Sequence, residues 1–277
     1  MNINELKRLQ NEQLNILKEV IKICQKYDIR YYMFYGSLLG TIRHNGTIPW
    51  DYDIDICMFR DDYKNFYKYI KELSEKLTVV HISTDNIDFT PLARIYKKNT
   101  RIYHPNHFIN DDIHGIHIDI FILDYVKEFT YFKQKFVLWF NRYLSLALLD
   151  DFEKGWLYDK FSKNYIKKFI IKSTDIISKY FNYQKIQKMI FNSLVQKRGY
   201  KNNKVMTLID LNNIFDYQDF KKIIKRTYED ITVNVPYEYD KLLKQIYGKY
   251  WIFPPEEERY TSNMDEIIIE FENDIYQ

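Results

Sequence analysis

Between residues 51 and 55 the chain places three carboxylates at alternate positions, Asp51, Asp53 and Asp55, within PWDYDIDICMF. From Tyr52 to Met58 the pattern alternates, with Asp53, Asp55 and Cys57 on one side and Ile54, Ile56 and Met58 on the other. A strand of period two does this, burying one face and directing two carboxylates off the other. Like charges held side by side repel, so a cation is the expected partner. Hard oxygen ligands select Mg²⁺ or Mn²⁺ over zinc. A second strand, Ile116–Ile122, sets Ile116, Ile118, Ile120 and Ile122 on one face and His117, Asp119 and Phe121 on the other. As a neighbour of the first strand it brings Asp119 beside Asp53 and Asp55. A triad of this kind clamps two ions about 3.5–4 Å apart.

Upstream lies the other half of a phosphate site. Phe34-Tyr35-Gly36-Ser37 reads as a strand end passing into a helix that starts with Ser37, Leu38 and Leu39. Gly36 lets the backbone come close to a ligand, while Ser37 and the free N–H groups of the first turn hold a phosphate oxygen. Arg43 follows one to two turns later, and its planar fork suits two phosphate oxygens at once. A salt bridge to Asp51 is the competing use for it. Trp50 packs the loop, and an aromatic ring beside such a site also stacks a base or cups a quaternary ammonium. A phosphate grip followed at short range by paired acids points to metal-assisted phosphoryl or nucleotidyl transfer.

The elements that must position these residues follow from the pattern. Leu6, Leu9, Leu14, Leu17, Ile21 and Cys24 make residues 3–27 an amphipathic helix. A strand at 30–35 then leads into a helix at 37–44 and a strand at 52–59. Asp61-Asp62 is placed to cap a helix running to about Glu75. Strands follow at 79–82, 92–96 and 116–123, and the pattern turns helical through much of 130–200. Tyr239, Leu242, Leu243 and Ile246 stripe a further helix that stops near Gly248. Its neighbours Tyr247 and Tyr250, with Arg259, read as packing of the tail.

The 277 residues, 46% hydrophobic and rich in Tyr (26) and Phe (19), support one large domain or a core with a helical extension. Two cysteines make neither a disulfide framework nor a cysteine zinc site. His104, His107, His114 and His117 have a spacing like that of metal ligands, but His114 and His117 differ in strand parity and point to opposite faces. His117 shares the face of Asp119 and is placed to orient substrate, whereas His44 reads as a loop residue. The N-terminus lacks the apolar core of a signal peptide, and no run reaches the length of a membrane span. A cytoplasmic protein is expected. Residues 131–210 hold 16 Lys/Arg against 6 Asp/Glu. This basic stretch is either a solvated helical cap or a surface for an anionic acceptor or the inner leaflet, giving peripheral membrane contact through 131–204. No nucleic-acid-binding module accompanies the charge, and no nucleic-acid partner is expected.

GSLLGTIRHNGTIPWDYDIDI resembles the signature of the LicD/fukutin family of phosphotransferases, in the nucleotidyltransferase superfamily. HGIHIDIFILD and VPYEYDKLLKQIYGKYWIFPPEEER resemble its second acidic strand and its C-terminal motif, and the resemblance places the latter near the active-site rim, where it would close the site. The resemblance implies an α+β fold: a DNA polymerase β-like nucleotidyltransferase core, a mixed sheet flanked by helices, with a helical insertion. Residues 1–125 would form the catalytic core, 126–204 the basic insertion, and 205–277 a part completing the same domain. It implies that Asp53 and Asp55 bridge the ions and that Asp119 holds the one activating the acceptor hydroxyl. Arg94 occupies a place where the family carries a basic residue near the donor, and Tyr52 stands where the family has an acid. The implied reaction is transfer of phosphocholine from CDP-choline to a sugar hydroxyl of a bacterial surface glycan, such as lipooligosaccharide, capsule or teichoic acid, releasing CMP. A CDP-ribitol or CDP-glycerol donor, nucleotidyl transfer to a small molecule, and a non-catalytic glycan- or membrane-docking role are the alternatives.

Overall fold

Asn2 starts the first helix, α1 (Ile3–Lys26), through a reciprocal cap in which its side chain accepts the N–H groups of Asn4 and Glu5 while Glu5 accepts the Asn2 N–H. The computed structural model describes residues 1–82, 87–88, 90–103, 115–127, 183–195, 203–259 and 267–271, with Tyr165, Phe169 and Ser173 singly between them. The α1 stripe is buried from Leu6 to Cys24 as its periodicity requires.

The elements after α1 are β1 (Tyr32–Met33), α2 (Tyr35–Arg43), β2 (Asp55–Phe59), α3 (Arg60–Tyr67), β3 (Leu77–Ile82), β4 (Leu92–Lys97), β5 (Arg101–Tyr103) and β6 (His117–Tyr125). Then come α4 (Tyr183–Leu194), β7 (Lys204–Thr207), β8 (Asp210–Asp216), β9 (Ile223–Tyr228), β10 (Ile231–Pro236), α5 (Tyr239–Tyr247), α6 (Glu256–Arg259) and β11 (Ile268–Glu270). A mixed sheet runs β1-β2-β6-β4-β3, and β7 with β8 extends it from the far end of β6. Only the β2–β6 pair is parallel within it. The fold is thus α+β, a mixed sheet with helices.

Both faces of the sheet are covered. Ile54, Ile56 and Met58 join Ile116, Ile118, Ile120 and Ile122 and the α1 stripe in the larger core. Cys57 and Phe59, on the acid-bearing face, join Tyr32, Phe34, Phe215 and Phe220 in a second core. All five residues of β2 are buried, so the expectation of one open face holds only at the Asp55 end of the strand. Burial pushes the Cys57 thiol well up and that of Cys24 to about 12, so both are inert, unpaired thiols.

Several boundaries differ from the sequence reading. The strand expected at 52–59 begins only at Asp55. Carbonyls of Ile48, Asp51 and Tyr52 are taken by the side-chain amides of Gln10 and Gln13, so this stretch is fixed by a helix and has no strand partner. α2 starts two residues early, with Tyr35 at a left-handed φ of 37°. α3 ends at Tyr67 rather than near Glu75; a short tight helix at Ile70–Glu72 follows, where Tyr69 stacks on Tyr27 at 3.5 Å. Phe59, not Asp61 or Asp62, is its N-cap, and Asp62 pairs with Arg30 instead. β5 and the strands from β7 to β11 were not anticipated, although Ile231, Val233 and Val235 of β10 alternate with Thr232 and Asn234. Most of the helical stretch expected at 130–200 lies outside the described residues.

Candidate active site

Strand register builds the acidic row. Asp55 on β2 pairs with Asp119 on β6, and Asp119 pairs with Arg94 on β4, so the three side chains stand abreast on one face. Arg94 grips Asp119 with Nε to Oδ1 at 2.7 Å and a longer second contact at 3.4 Å, and bonds the Tyr96 hydroxyl at 3.3 Å. His117 lies next in the row. Its Nε2 is 3.9 Å from Asp119, and its ring packs on Tyr96 at 4.9 Å.

The start of α2 closes onto the head of β2. Ser37 is buried, and its Oγ accepts the Asp55 N–H at 2.8 Å while sharing a hydrogen bond with the Tyr228 hydroxyl. The hydroxyl expected to hold a phosphate oxygen thus also fixes the strand that carries Asp55. The N–H groups of Gly36 and Ser37 belong to the first turn, where a helix offers them no carbonyl. Gly36 is required by a close approach: a Cβ there would stand 2.7 Å from an Asp51 carboxylate oxygen. The left-handed Tyr35 costs about 1–3 kcal/mol; its hydroxyl is tied to Asp210 at 2.8 Å and its ring packs edge-on against Phe121. The loop beyond α2 is held by the β9–β10 turn, where Glu229 accepts the Thr47 N–H and leaves room only for a glycine at position 46.

These parts wall a cavity of about 690 Å³, lined by Asp51, Asp53 and Asp55 together with Arg43, Trp50 and Phe253. Asp51 and Asp53 share a side-chain hydrogen bond. Burial, then the neighbouring charge of Asp51, raises the Asp53 carboxyl well above its ordinary value, opposed by Arg94. Burial, then the charge of Asp53, does the same to Asp55. Asp51 is raised less, again by burial. Tyr247, at the end of α5, has its phenol pushed up by burial and by Asp55, Asp51 and Asp53.

Among the described residues no three acids, imidazoles or thiols converge closely enough to cage an ion as they stand. The donor set nonetheless fits a hard divalent cation. Three carboxylates line one cavity and stand near Asp119, and Arg94 opposes the charge of Asp53 and Asp55.

The remaining expectations fall out as follows. Arg43 lines the cavity and makes no salt bridge with Asp51; it donates to the carbonyls of Tyr250 and Ile252. Trp50 lines the cavity too, packed edge-on to His44 and Phe253. His104, His107 and His114 lie outside the described residues. Two groups of contributors escaped sequence reading. Asp51 faces the cavity with the other two acids, which its alternate position already hinted at. Gln10 and Gln13 stand as polar residues inside the α1 stripe, and Gln13 also bonds the His117 carbonyl at 3.1 Å. The segment 247–255, which the resemblance puts at the rim of the site while Tyr247 and Tyr250 read as packing, walls the cavity.

Residues 28–146 match the family model for the LicD/FKTN/FKRP nucleotidyltransferase domain. The chain is 28% identical to the lipopolysaccharide cholinephosphotransferase LicD of Haemophilus influenzae, over 92% of this chain and 95% of that protein. It is 41% identical to the human ribitol 5-phosphate transferase FKRP over 46 residues, 17% of this chain and 9% of that one. An uncharacterized protein of Rickettsia typhi is 34% identical over 26% of this chain and 23% of its own length.

Proposed function

This chain is a LicD/FKTN-like phosphotransferase, and from that premise we propose that it moves phosphocholine from CDP-choline to a sugar hydroxyl of a surface glycan, releasing CMP. The supporting observation is one cavity lined by Asp51, Asp53 and Asp55 and by Arg43, beside a strand whose register sets Asp119 next to Asp55. Choline is favoured over ribitol because the similarity to the cholinephosphotransferase runs nearly end to end, while that to the ribitol 5-phosphate transferase is short.

In this reading Asp53 and Asp55 hold a Mg²⁺ or Mn²⁺ ion, with Asp119 for a second, a carboxylate that Arg94 otherwise neutralises. Bound there, the metal neutralises charge on the diphosphate and on the departing CMP. Arg43 and the N–H groups at the start of α2 hold phosphate oxygens and orient the distal phosphorus. Asp119 stands where it can accept the proton of the attacking sugar hydroxyl, and Arg94 and His117 fix its direction. The strap Tyr250–Pro255 and Trp50 limit water at the reacting group. The core is of the polymerase β kind, with 126–204 a basic insertion that meets the inner leaflet and a lipid-linked acceptor. Among the described residues no helix is long and apolar enough to cross a membrane.

A donor panel tests the reading. With Mg²⁺, CDP-choline is predicted to release CMP faster than CDP-ribitol or CDP-glycerol, and EDTA to stop it. Release from CDP-ribitol alone would move the chain to the other donor. Pyrophosphate and a nucleotide-tagged acceptor as products would replace phosphotransfer by nucleotidyl transfer.

A further inference from the structure

Where α2 ends, several nitrogens lack acceptors in one place. Arg43 donates from one terminal nitrogen to the carbonyls of Tyr250 and Ile252, at 2.9 and 3.5 Å. Its Nε is sealed from solvent and bonds nothing among the described residues. His44, the next residue, has both ring nitrogens buried and without a described partner. Its ring meets Trp50 and Phe253 edge-on, at 5.8 and 5.4 Å.

Arg259 comes to the same spot from α6. It donates to the Pro254 carbonyl at 2.9 Å, and its guanidinium lies 5.2 Å from the Trp50 ring and 5.6 Å from the Phe253 ring. Arg43 lies 4.6 Å from that same Phe253 ring. Neither arginine forms an ion pair with a described carboxylate; among the described residues they meet neutral carbonyls and aromatic faces. Two cations gathered on one phenylalanine repel, and burial together with the Arg259 charge lowers the Arg43 pKa. Stacking alone accounts for the arginines as fasteners of the strap, but it leaves the Arg43 Nε and both His44 nitrogens without partners. Buried polar groups are hydrogen-bonded and buried charges paired as a rule. What this cluster lacks is an acceptor carrying negative charge.

We propose that Arg43, His44 and Arg259 form an anion subsite that takes a phosphate group of the donor, reached from the cavity that Arg43 lines together with Asp51, Asp53 and Asp55. The identity of the ligand rests on the phosphotransferase reading; the preference for an anion rests on the cluster alone. In this arrangement one phosphate of a nucleoside diphosphate meets the guanidinium groups and the other faces Asp51, Asp53 and Asp55. Arg259 stands against the Trp50 and Phe253 rings that line the cavity, so an anion reaching it displaces or tilts those rings.

Calorimetric titration of the full chain with pyrophosphate, CMP and cytidine, all in EDTA, reads this subsite without turnover. Arg259→Gln is expected to weaken pyrophosphate and CMP about tenfold, the scale of one charge-assisted hydrogen bond, and to leave cytidine unchanged. Arg259→Lys, which keeps the charge, is expected to retain more of that affinity than Arg259→Gln, and it serves where the glutamine variant fails to fold by thermal melt. No pyrophosphate binding by the unmodified chain, equal affinity in folded Arg259→Gln, or a loss shared by cytidine would overturn the subsite. Because no donor is consumed, failure here leaves the donor panel untouched, and failure of the donor panel leaves this titration interpretable.

Discussion

Asp53 and Asp55 are held where folding alone would not put them. Asp55 is buried and Asp53 half-buried, each beside a second carboxylate, and the ionised form of each is disfavoured by desolvation and by its neighbour's charge. Such an arrangement costs stability and is kept for chemistry. Asp53→Asn is therefore expected to raise the melting temperature of the protein in EDTA, by about 2–4 °C for each kcal/mol of repulsion removed, while ending turnover. Differential scanning calorimetry checks the first and CMP release the second; a variant less stable than the parent in EDTA would contradict the electrostatic account. Ser37 has the opposite character. Removing its Oγ as Ser37→Ala orphans the buried Asp55 N–H, and chemical denaturation is expected to show a loss of about 1–3 kcal/mol. Cys24 offers a control on the core: with its thiol pushed to about 12 by burial, it stays protonated at pH 9 and should resist iodoacetamide until the protein is unfolded.

At the scale of elements, the site depends on register. Asp55, Asp119 and Arg94 stand abreast because β2, β6 and β4 align at those positions, and a slip of one residue would send every side chain to the opposite face. The ion pair of Arg60 with Asp124 pins the far end of this arrangement, joining the first residue of α3 to β6 with both partners largely buried. Asp124→Ala leaves the Arg60 guanidinium buried and unpaired, and urea denaturation is expected to show a loss of about 3–5 kcal/mol; a loss near zero would mean Arg60 finds water or another acid.

Much of this row was legible in the sequence, since alternation in Tyr52–Met58 and Ile116–Ile122 fixes parity without knowledge of the partner. The start of β2 was not legible. A strand needs a neighbour, and β1 offers only Tyr32 and Met33, so Asp51 and Tyr52 are fixed by glutamines from α1 that no local pattern announces, while the Ile54 carbonyl accepts the Asp119 N–H of β6. The resemblance put 247–255 at the rim of the site, but the roles of its individual residues were hidden for a related reason. Its aromatic residues look like packing until the chain folds back over Arg43, a contact spanning more than 200 positions.

Across the whole molecule, charge is unevenly spread: a formal net charge of +3 hides the strongly basic 131–210. If that stretch meets an anionic leaflet, the protein should sediment with phosphatidylserine or phosphatidylglycerol vesicles at low salt and release as ionic strength rises past about 0.15 M, where the Debye length is roughly 8 Å. Equal recovery with neutral vesicles would argue for a solvated cap instead. The C-terminal strands matter here as well. β7 pairs with β6 beyond the acidic row, and the strap after α5 walls the cavity, so the residues that follow the basic stretch return to the site and help form it.

The central claim is that the carboxylate cavity carries metal-assisted phosphotransfer, and CMP release from CDP-choline by the unmodified chain and by Asp55→Asn tests it most directly. The account predicts Mg²⁺-dependent release by the unmodified chain, abolished by EDTA, and a loss of at least about a thousandfold in Asp55→Asn with an unchanged circular dichroism spectrum. Undiminished release by a folded Asp55→Asn would contradict it and place the chemistry elsewhere.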